Sequence, residues 1–588
     1  MEHLVPLLVV IPLAGGFLMP LVDRLTGRRR SAAAFPILLT AAVLVLSVWL
    51  LLAADEPLTY WVGGWDFPIG ISMVADGLSR LMVVVVATVS LMALVFSIDY
   101  MARFTSPGLY YTLFLLMVAG MNGVVLSGDL FNMYVFIEVA CIASYALVAF
   151  GTESDELEAS FKYLVLGTVA STFLLVGIAL VYNVTGHLNW AKVGEVIQSA
   201  GEPTLPLYVA AAFFLMGFGL KAAMVPFHAW LPDAHPSAPA PISAMLSGVL
   251  IKAAGVYTLA RLVFSVFDGD PALGWILVTL GVLSMVVGVL MAVGQWDFKR
   301  LLAYHSISQM GYVMLAFGAA AVMQARDLSP TVVGLAVFGG LFHLANHAVF
   351  KSLLFLCSGS VEYATGTRQL KELGGIGGRM PVTGACLRVA ALSISGVPPL
   401  NGFWSKLIIV LALVLGGFYV LAAVTVFVSF MTLLSFAKVQ RYVLGGEPSE
   451  HVAAAREVPA AMCLASVLLA VLCFASSLMA VETMRTVRGR VLTPASEAVT
   501  AGAAAGRQGR LITVERERPA TPRQPEDVDA TAPGGRDSHR ERRKHLAAGL
   551  GRRVRTSDTE TRRAPANGTV GPETHRAGLA AVHGEEAP

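Results

Sequence analysis

The chain has 588 residues, 56% of them hydrophobic and only 14% charged, with a formal net charge of +3. Soluble domains carry about 25% charge, so an ordinary soluble globule is excluded, and the small net charge gives no ground for a nucleic-acid partner. Apolar runs of about 18 residues or more, each able to span a bilayer as a helix, recur from the N-terminus to about residue 482.

In chain order, roughly 14 spans are expected, centred near residues 13, 43, 88, 118, 140, 172, 215, 250, 283, 313, 345, 400, 428 and 470. Met1–Val22 lacks a basic start and a small-residue cleavage site, so it reads as a retained first helix and not a signal peptide. Lys and Arg concentrate in the loops after spans 1, 9, 11 and 13, which assigns those loops to the cytoplasm and both termini to the outside. The acidic loop GTESDELEAS runs against this trend, but acidic residues weigh little in the rule. The expected division is 1–107 as N-terminal helices, 108–265 and 274–445 as two five-helix repeats, and 459–482 as a last helix. Residues 486–588 form a basic tail too polar and Pro/Gly-rich to fold.

The five cysteines stand singly in apolar segments, without a CxxC pair, and read as small buried hydrophobes. No GxGxxG, Walker or CxxCH motif is present. No cofactor is therefore expected in this chain, and any redox centre would belong to other subunits.

Ionisable residues inside spans are functional candidates by default, because each costs about 3 kcal/mol. Glu138 lies in the middle of span 5 with no basic residue on the neighbouring turns. Lys221 lies on span 7, just before a run holding Pro226, Pro232, Pro236, Pro239 and Pro241, which cannot continue a regular helix. The two charges are natural partners, either as a static pair between helices or as a site that exchanges protons with a wet break. Lys252 is in mid-span 8, as far from either end as it can be. Burial favours neutral lysine and suits a proton relay, with snorkelling as the bland alternative. His343, His347 and Lys351 follow at i, i+4 and i+8 and share one helix face. They read as a relay, as satisfied core histidines with a lysine near a helix end, or as a metal site; HLANH lacks the glutamate of HExxH. His305, His228 and His235 are weaker candidates, the last two as caps for carbonyls freed by the break. Lys406 accompanies a second interruption at Pro398, Pro399 and Gly402. Two interrupted spans in corresponding parts of two halves point to a transporter's ion site. Lys221 precedes its break, whereas Lys406 follows its own.

These residues sit in GDLFNMYVFIEVACIASYALVAFG, EASFKYLVLG, GLKAAMVPFHAWLPDAHPSAPAPISAMLSGVLIKAAGVY, DFKRLLAYHSISQMGYV, HLANHAVFKSLLFLCSGSV and SGVPPLNGFWSK. Through them the chain, from about residue 60 to 445, resembles the antiporter-like membrane subunits shared by respiratory complex I, Mrp-type cation/proton antiporters and membrane-bound group 4 hydrogenases. The resemblance implies an all-α fold of 14 helices, with two inverted five-helix repeats and broken helices 7 and 12. It implies that Glu138 and Lys221 form the paired site, Lys252 the connecting lysine, His343, His347 and Lys351 the polar axis, and Lys406 the terminal site. Lysine at 406, where some members carry glutamate, matches the lysine-type subunits. The family's lateral C-terminal helix is not evident. The resemblance further implies an inner-membrane location, other membrane subunits and the bilayer as partners, and protons as cargo, with Na⁺ as a second candidate. Two functions follow: the proton-translocating subunit of a redox-driven pump, or the D subunit of an Mrp-type Na⁺/H⁺ antiporter. A passive scaffold is the third reading, opposed by the series of buried charges. Moving a charge against 100 mV costs about 2.3 kcal/mol, and a swing of two pKa units supplies about 2.7 kcal/mol. The opening and closing of the Glu138–Lys221 pair therefore operates on an adequate scale.

Overall fold

The computed structural model describes residues 1–26, 29–65, 69–201, 204–478 and 480. The expected tail 486–588 and the last residues of the final span lie outside the described residues. The helices are α1 Leu4–Thr26, α2 Arg29–Ala53, α3 Gly77–Tyr100, α4 Pro107–Leu126, α5 Leu130–Val148, α6 Ser154–Thr185, α7 Trp190–Ala200, α8 Leu205–Lys221 and α9 Leu231–Ser237. They continue with α10 Ala240–Val266, α11 Pro271–Val293, α12 Phe298–Ala325, α13 Pro330–Thr365, α14 Pro381–Ser395, α15 Asn401–Leu415, α16 Tyr419–Leu444 and α17 Ala460–Leu478. Twelve are long and apolar enough to cross a membrane. Counting the interrupted pairs α8/α9 and α14/α15 as one crossing each gives the fourteen that hydropathy predicts. A short antiparallel hairpin, β1 Leu58–Trp61 with β2 Ser72–Ala75, joins α2 to α3.

The two five-helix repeats share local chemistry. Asp129 caps the start of α5 by accepting from the Asn132 amide, and Asp297 caps α12 through Arg300. The chain beside Asp129 pairs with the segment after α6, Leu130 N to Leu188 O and Trp190 N to Gly128 O; beside Asp297, Phe298 N donates to Arg368 O and Leu370 N to Trp296 O. α6 and α13 both stop at a left-handed glycine, Gly186 and Gly366, after a threonine (Thr185, Thr365) bonded to the carbonyl four residues back. Equivalent helices are five crossings apart, an odd number, so the repeats run in opposite senses.

The core sits between the repeats. α12 is buried on every side from Leu301 to Met323, the behaviour of a helix in the middle of the protein, and α13 carries a long buried stretch beside it. The break in span 7 is narrower than the prolines alone suggest. Irregular backbone is confined to 222–230, because Pro232 falls in the first turn of α9 and Pro239 and Pro241 flank the start of α10, where no amide is needed.

At the end of the bundle near the hairpin, Asp76 caps α3 through the Ser79 amide and holds the Arg261 guanidinium with both oxygens at 2.5 Å. Burial pushes the Asp76 carboxyl up, but Arg261 beside it prevails and holds it below its ordinary value of 3.8. Its contribution is therefore complete above about pH 4 and is lost as pH falls through the lowered value. Asp76→Ala should destabilise the purified protein by about 3 kcal/mol or more, since a cap is lost and a partly buried cation is left unpaired. Thermal unfolding in detergent reads this, and an unchanged midpoint would refute it.

Candidate functional site

Lys221 is the last residue of α8, and its ammonium points into the first repeat. Its Nζ donates to Ser171 Oγ at 2.9 Å, Gly167 O at 3.2 Å and Cys141 Sγ at 3.3 Å. The Glu138 carboxylate is 3.7 Å away, too far for a hydrogen bond. Ser171 spans this gap by also donating to Glu138 Oε1. The Lys221 side chain is 3% exposed, and that of Glu138, at the edge of the bundle, is 28% exposed. α8 ends in a Schellman motif: the Ala223 amide bonds Leu220 O and the Met224 amide bonds Gly219 O, with Ala223 left-handed at φ 53. Trp230 closes the break by donating to Leu220 O and stacking on Tyr163 at 4.2 Å.

The second break repeats this geometry and accounts for the reversed order of the lysines. α14 ends with Gly396 N to Ser393 O and Val397 N to Leu392 O, with Gly396 left-handed at φ 76. Ile394 therefore stands where Lys221 stands, two residues before the left-handed position. Lys406 reaches back across the break and donates to Ile394 O at 2.7 Å. Both ammonium groups thus lie at the C-terminal end of a first half-helix, the end that favours a cation. Lys406 also bonds Ser429 Oγ and lies 5.0 Å above the Tyr312 ring. The Tyr312 ring is 5.4 Å from that of His343, and His343 Nδ1 pairs with Ser405 Oγ at 2.9 Å.

Lys252 and Lys351 meet at the seam between the repeats. Lys252 is fully buried, which removes the snorkelling reading. It begins a π-helical turn of α10, a distortion often found at functional sites. Its Nζ donates to Ser247 O at 2.5 Å. Ser247 Oγ pairs with Ser306 Oγ of α12 at 2.6 Å, Ser306 donates to Leu302 O at 3.1 Å, and Lys351 donates to that same carbonyl. Lys351 lies well inside the 36-residue α13, not near a helix end, and is fully buried. His347 and His343 follow on its face, with ring centroids 6.3 Å apart. Among the described residues neither ring nitrogen of His347 has a hydrogen-bond partner, and no carboxylate pairs with Lys252, Lys351 or Lys406. No group of three or more metal-binding side chains occurs among them.

The structure therefore gathers the expected residues into two sets: Glu138 with Lys221, and Lys252 through Lys351, His347 and His343 to Lys406. No hydrogen bond joins the sets among the described residues, although α10 passes close to the first. A Cβ on Gly255 would stand 2.6 Å from the Ala222 amide nitrogen, so only glycine permits this approach of backbones. His235 is fully buried and caps no carbonyl, since both its ring nitrogens lack partners among the described residues. Its ring packs on Phe355 at 4.8 Å, and Lys351 Nζ lies over that ring.

Sequence reasoning missed Ser171, Ser247 and Ser306. It also missed a polar cavity of about 910 Å³ at the end of the bundle opposite the hairpin. Lys299, read as part of a loop, is buried in the first turn of α12, pairs with Glu362 at 2.9 Å and donates to Ala238 O. Lys162 and Arg300 both reach Asp233 of α9 there, at 3.1 and 3.5 Å. The facing basic loop residues were the available signal, but their partners lie far off in sequence.

A family model described as NADH:quinone oxidoreductase/Mrp antiporter, transmembrane, matches residues 127–432. One described as NADH-ubiquinone oxidoreductase (complex I), chain 5 N-terminus, matches residues 61–111. The chain is 35% identical over 454 residues to the Na⁺/H⁺ antiporter D subunit of Alkalihalophilus pseudofirmus, covering 76% of this chain and 88% of that one. It is 36% identical over 467 residues to the NADH-quinone oxidoreductase N subunit of Desulforudis audaxviator, covering 78% and 90%. A chain of the Mrp complex from Dietzia sp. superposes with a TM-score of 0.77 at 28% identity, covering 86% of this chain and 99% of that one.

Proposed function

Since this chain belongs to the NADH:quinone oxidoreductase/Mrp antiporter family of membrane proteins, we propose that it is the proton-translocating subunit of a complex I-like or group 4 hydrogenase-like redox-driven pump. It works beside other membrane subunits in a multisubunit complex of the cell membrane. The observation that carries this reading is the buried series of lysines and histidines, assembled from both repeats and ending on two equivalent half-helix termini. An isolated scaffold would gain nothing from three buried lysines without carboxylates, because unpaired charges are costly to bury. In the cycle, Glu138 approaches Lys221 and favours its ammonium form. As the pair opens, Lys221 yields its proton towards Lys252. The seam serines hold together the two helices whose carbonyls position Lys252 and Lys351, the proton passes between these lysines, and the histidines carry it on to Lys406. Electron transfer belongs to partner subunits.

The second reading, the D subunit of an Mrp-type Na⁺/H⁺ antiporter, is supported by the likeness to that subunit and to the Mrp complex. Vesicles holding the assembled complex separate the two. Proton uptake that requires redox substrate identifies a pump, whereas uptake driven by a sodium gradient alone identifies an antiporter.

The seam gives its own prediction. Ser247→Ala with Ser306→Ala should leave the complex assembled but slow transport about tenfold, equivalent to about 1.4 kcal/mol on the limiting step. Wild-type rates in the double variant would remove the seam from the path.

A further inference from the structure

We infer that the Ser171 hydroxyl is the proton-carrying bridge between Lys221 and Glu138, and that the pair does not exchange its proton directly. This rests on the reading of the chain as a proton-translocating subunit. An ammonium has three N–H donors, and those of Lys221 are taken by Ser171, Gly167 O and Cys141. None remains for Glu138 at 3.7 Å. Among these three acceptors a carbonyl cannot relay a proton, and the Cys141 thiol makes no hydrogen bond to the Glu138 carboxylate, whose partner is the serine. Ser171 alone touches both groups, accepting from Lys221 and donating to Glu138 Oε1. It is 3% exposed, so bulk water does not compete for it.

The step balances. A Lys221 Nζ–H bond breaks as an Oγ–H bond forms, and the original Oγ–H bond breaks as an Oε1–H bond forms. One proton moves from ammonium to carboxylate, both groups become neutral, and no electron changes hands; the reverse transfer restores the ammonium before Lys221 yields its proton towards Lys252. The hydroxyl has a second acceptor in Gly167 O at 3.0 Å. With a single proton it can face Glu138 or its own helix, but not both. Rotation towards Gly167 breaks the connection, so the rotor itself opens and closes the bridge.

Ser171→Val and Ser171→Thr have the same shape and differ by the hydroxyl alone. In the assembled complex in vesicles, Ser171→Val should lower proton transport by at least about tenfold, the lower range for loss of a positioned proton-transfer group, while Ser171→Thr stays within about threefold of wild type. The infrared difference spectrum on energisation should contain a protonated-carboxyl band that Glu138→Gln removes; Ser171→Thr should keep it and Ser171→Val lose it. Should the valine variant fail to accumulate, Ser171→Ala takes its place in both measurements. A hydroxyl-free variant with normal rate and a normal band overturns the bridge. Lys221→Ala run in parallel separates the two levels. If it is inactive while Ser171→Val is normal, only the bridge fails; if both transport normally, the functional reading fails with it.

Discussion

Lys221→Ala should abolish proton transport by the assembled complex, by more than about 100-fold, while the subunit still inserts and assembles. The size of the effect follows from the surroundings. The ammonium satisfies Ser171, Gly167 O and Cys141 together, and breaking a buried pair costs about 3 kcal/mol or more. The protein tolerates the loss because Glu138 lies at the edge of the bundle and keeps its bond from Ser171. Lys221→Arg is the sharper companion. Arginine keeps the charge and can hold a static pair, but it does not give up its proton. A structural ion pair would leave Lys221→Arg active, whereas a relay leaves it as dead as alanine. Proton uptake into vesicles, with redox substrate or a sodium gradient as the drive, measures both. Normal transport by either variant would retire Lys221 as a relay.

Gly402→Ala should disrupt the second break as severely. A Cβ at Gly402 would stand 1.8 Å from the Ser393 carbonyl oxygen and 2.8 Å from its carbon. Backbone meets backbone there, so no side chain can rotate out of the way. Overpacking usually costs about 1–3 kcal/mol, and this clash belongs at or above the top of that range. α15 must move off the end of α14, which pulls Lys406 Nζ from Ile394 O, now at 2.7 Å. The expected outcome is a thermal midpoint lowered by several degrees, in line with about 3 kcal/mol, together with transport reduced at least tenfold. Gly378→Ala is the control. Its Cβ would meet nothing within 4 Å, so stability should stay within about 0.5 kcal/mol of wild type. Equal midpoints for Gly402→Ala and Gly378→Ala would show that the two half-helices are not in the close contact described.

Much of this protein is legible in one dimension, because the bilayer turns length and hydropathy into crossings. A span needs about 20 apolar residues, and fourteen can be counted. An ionisable residue stands out against that background, so Glu138, Lys221, Lys252 and Lys406 are found by their cost alone. The i, i+4, i+8 spacing of His343, His347 and Lys351 fixes a shared face without any knowledge of neighbours.

The serines and the pairing at the breaks were not legible. A serine in an apolar helix ordinarily bonds the carbonyl a turn earlier, as Ser171 and Ser306 also do, so nothing local marks it. Ser171 becomes a bridge only because Glu138 lies 33 residues before it and Lys221 50 residues after it. Ser247 and Ser306 meet only because the two repeats pack against each other. Lys299 looked like a residue of the basic loop after span 9 until α12 started at Phe298 and Glu362 came to meet it. His235 looked like a cap and caps nothing. The sequence alone determined where the chain crosses the membrane, which charges it carries inside and where regular helix must fail, since these depend on local transfer energies and on proline. The tertiary structure decided which group each charge faces. Hydrogen bonds are set at a scale of about 3 Å, and residues far apart in the chain reach that distance only when the helices pack. The reversed order of Lys221 and Lys406 contains both parts: the sequence places them on opposite sides of their breaks, and the fold-back of one side chain brings both charges to the same end of a half-helix.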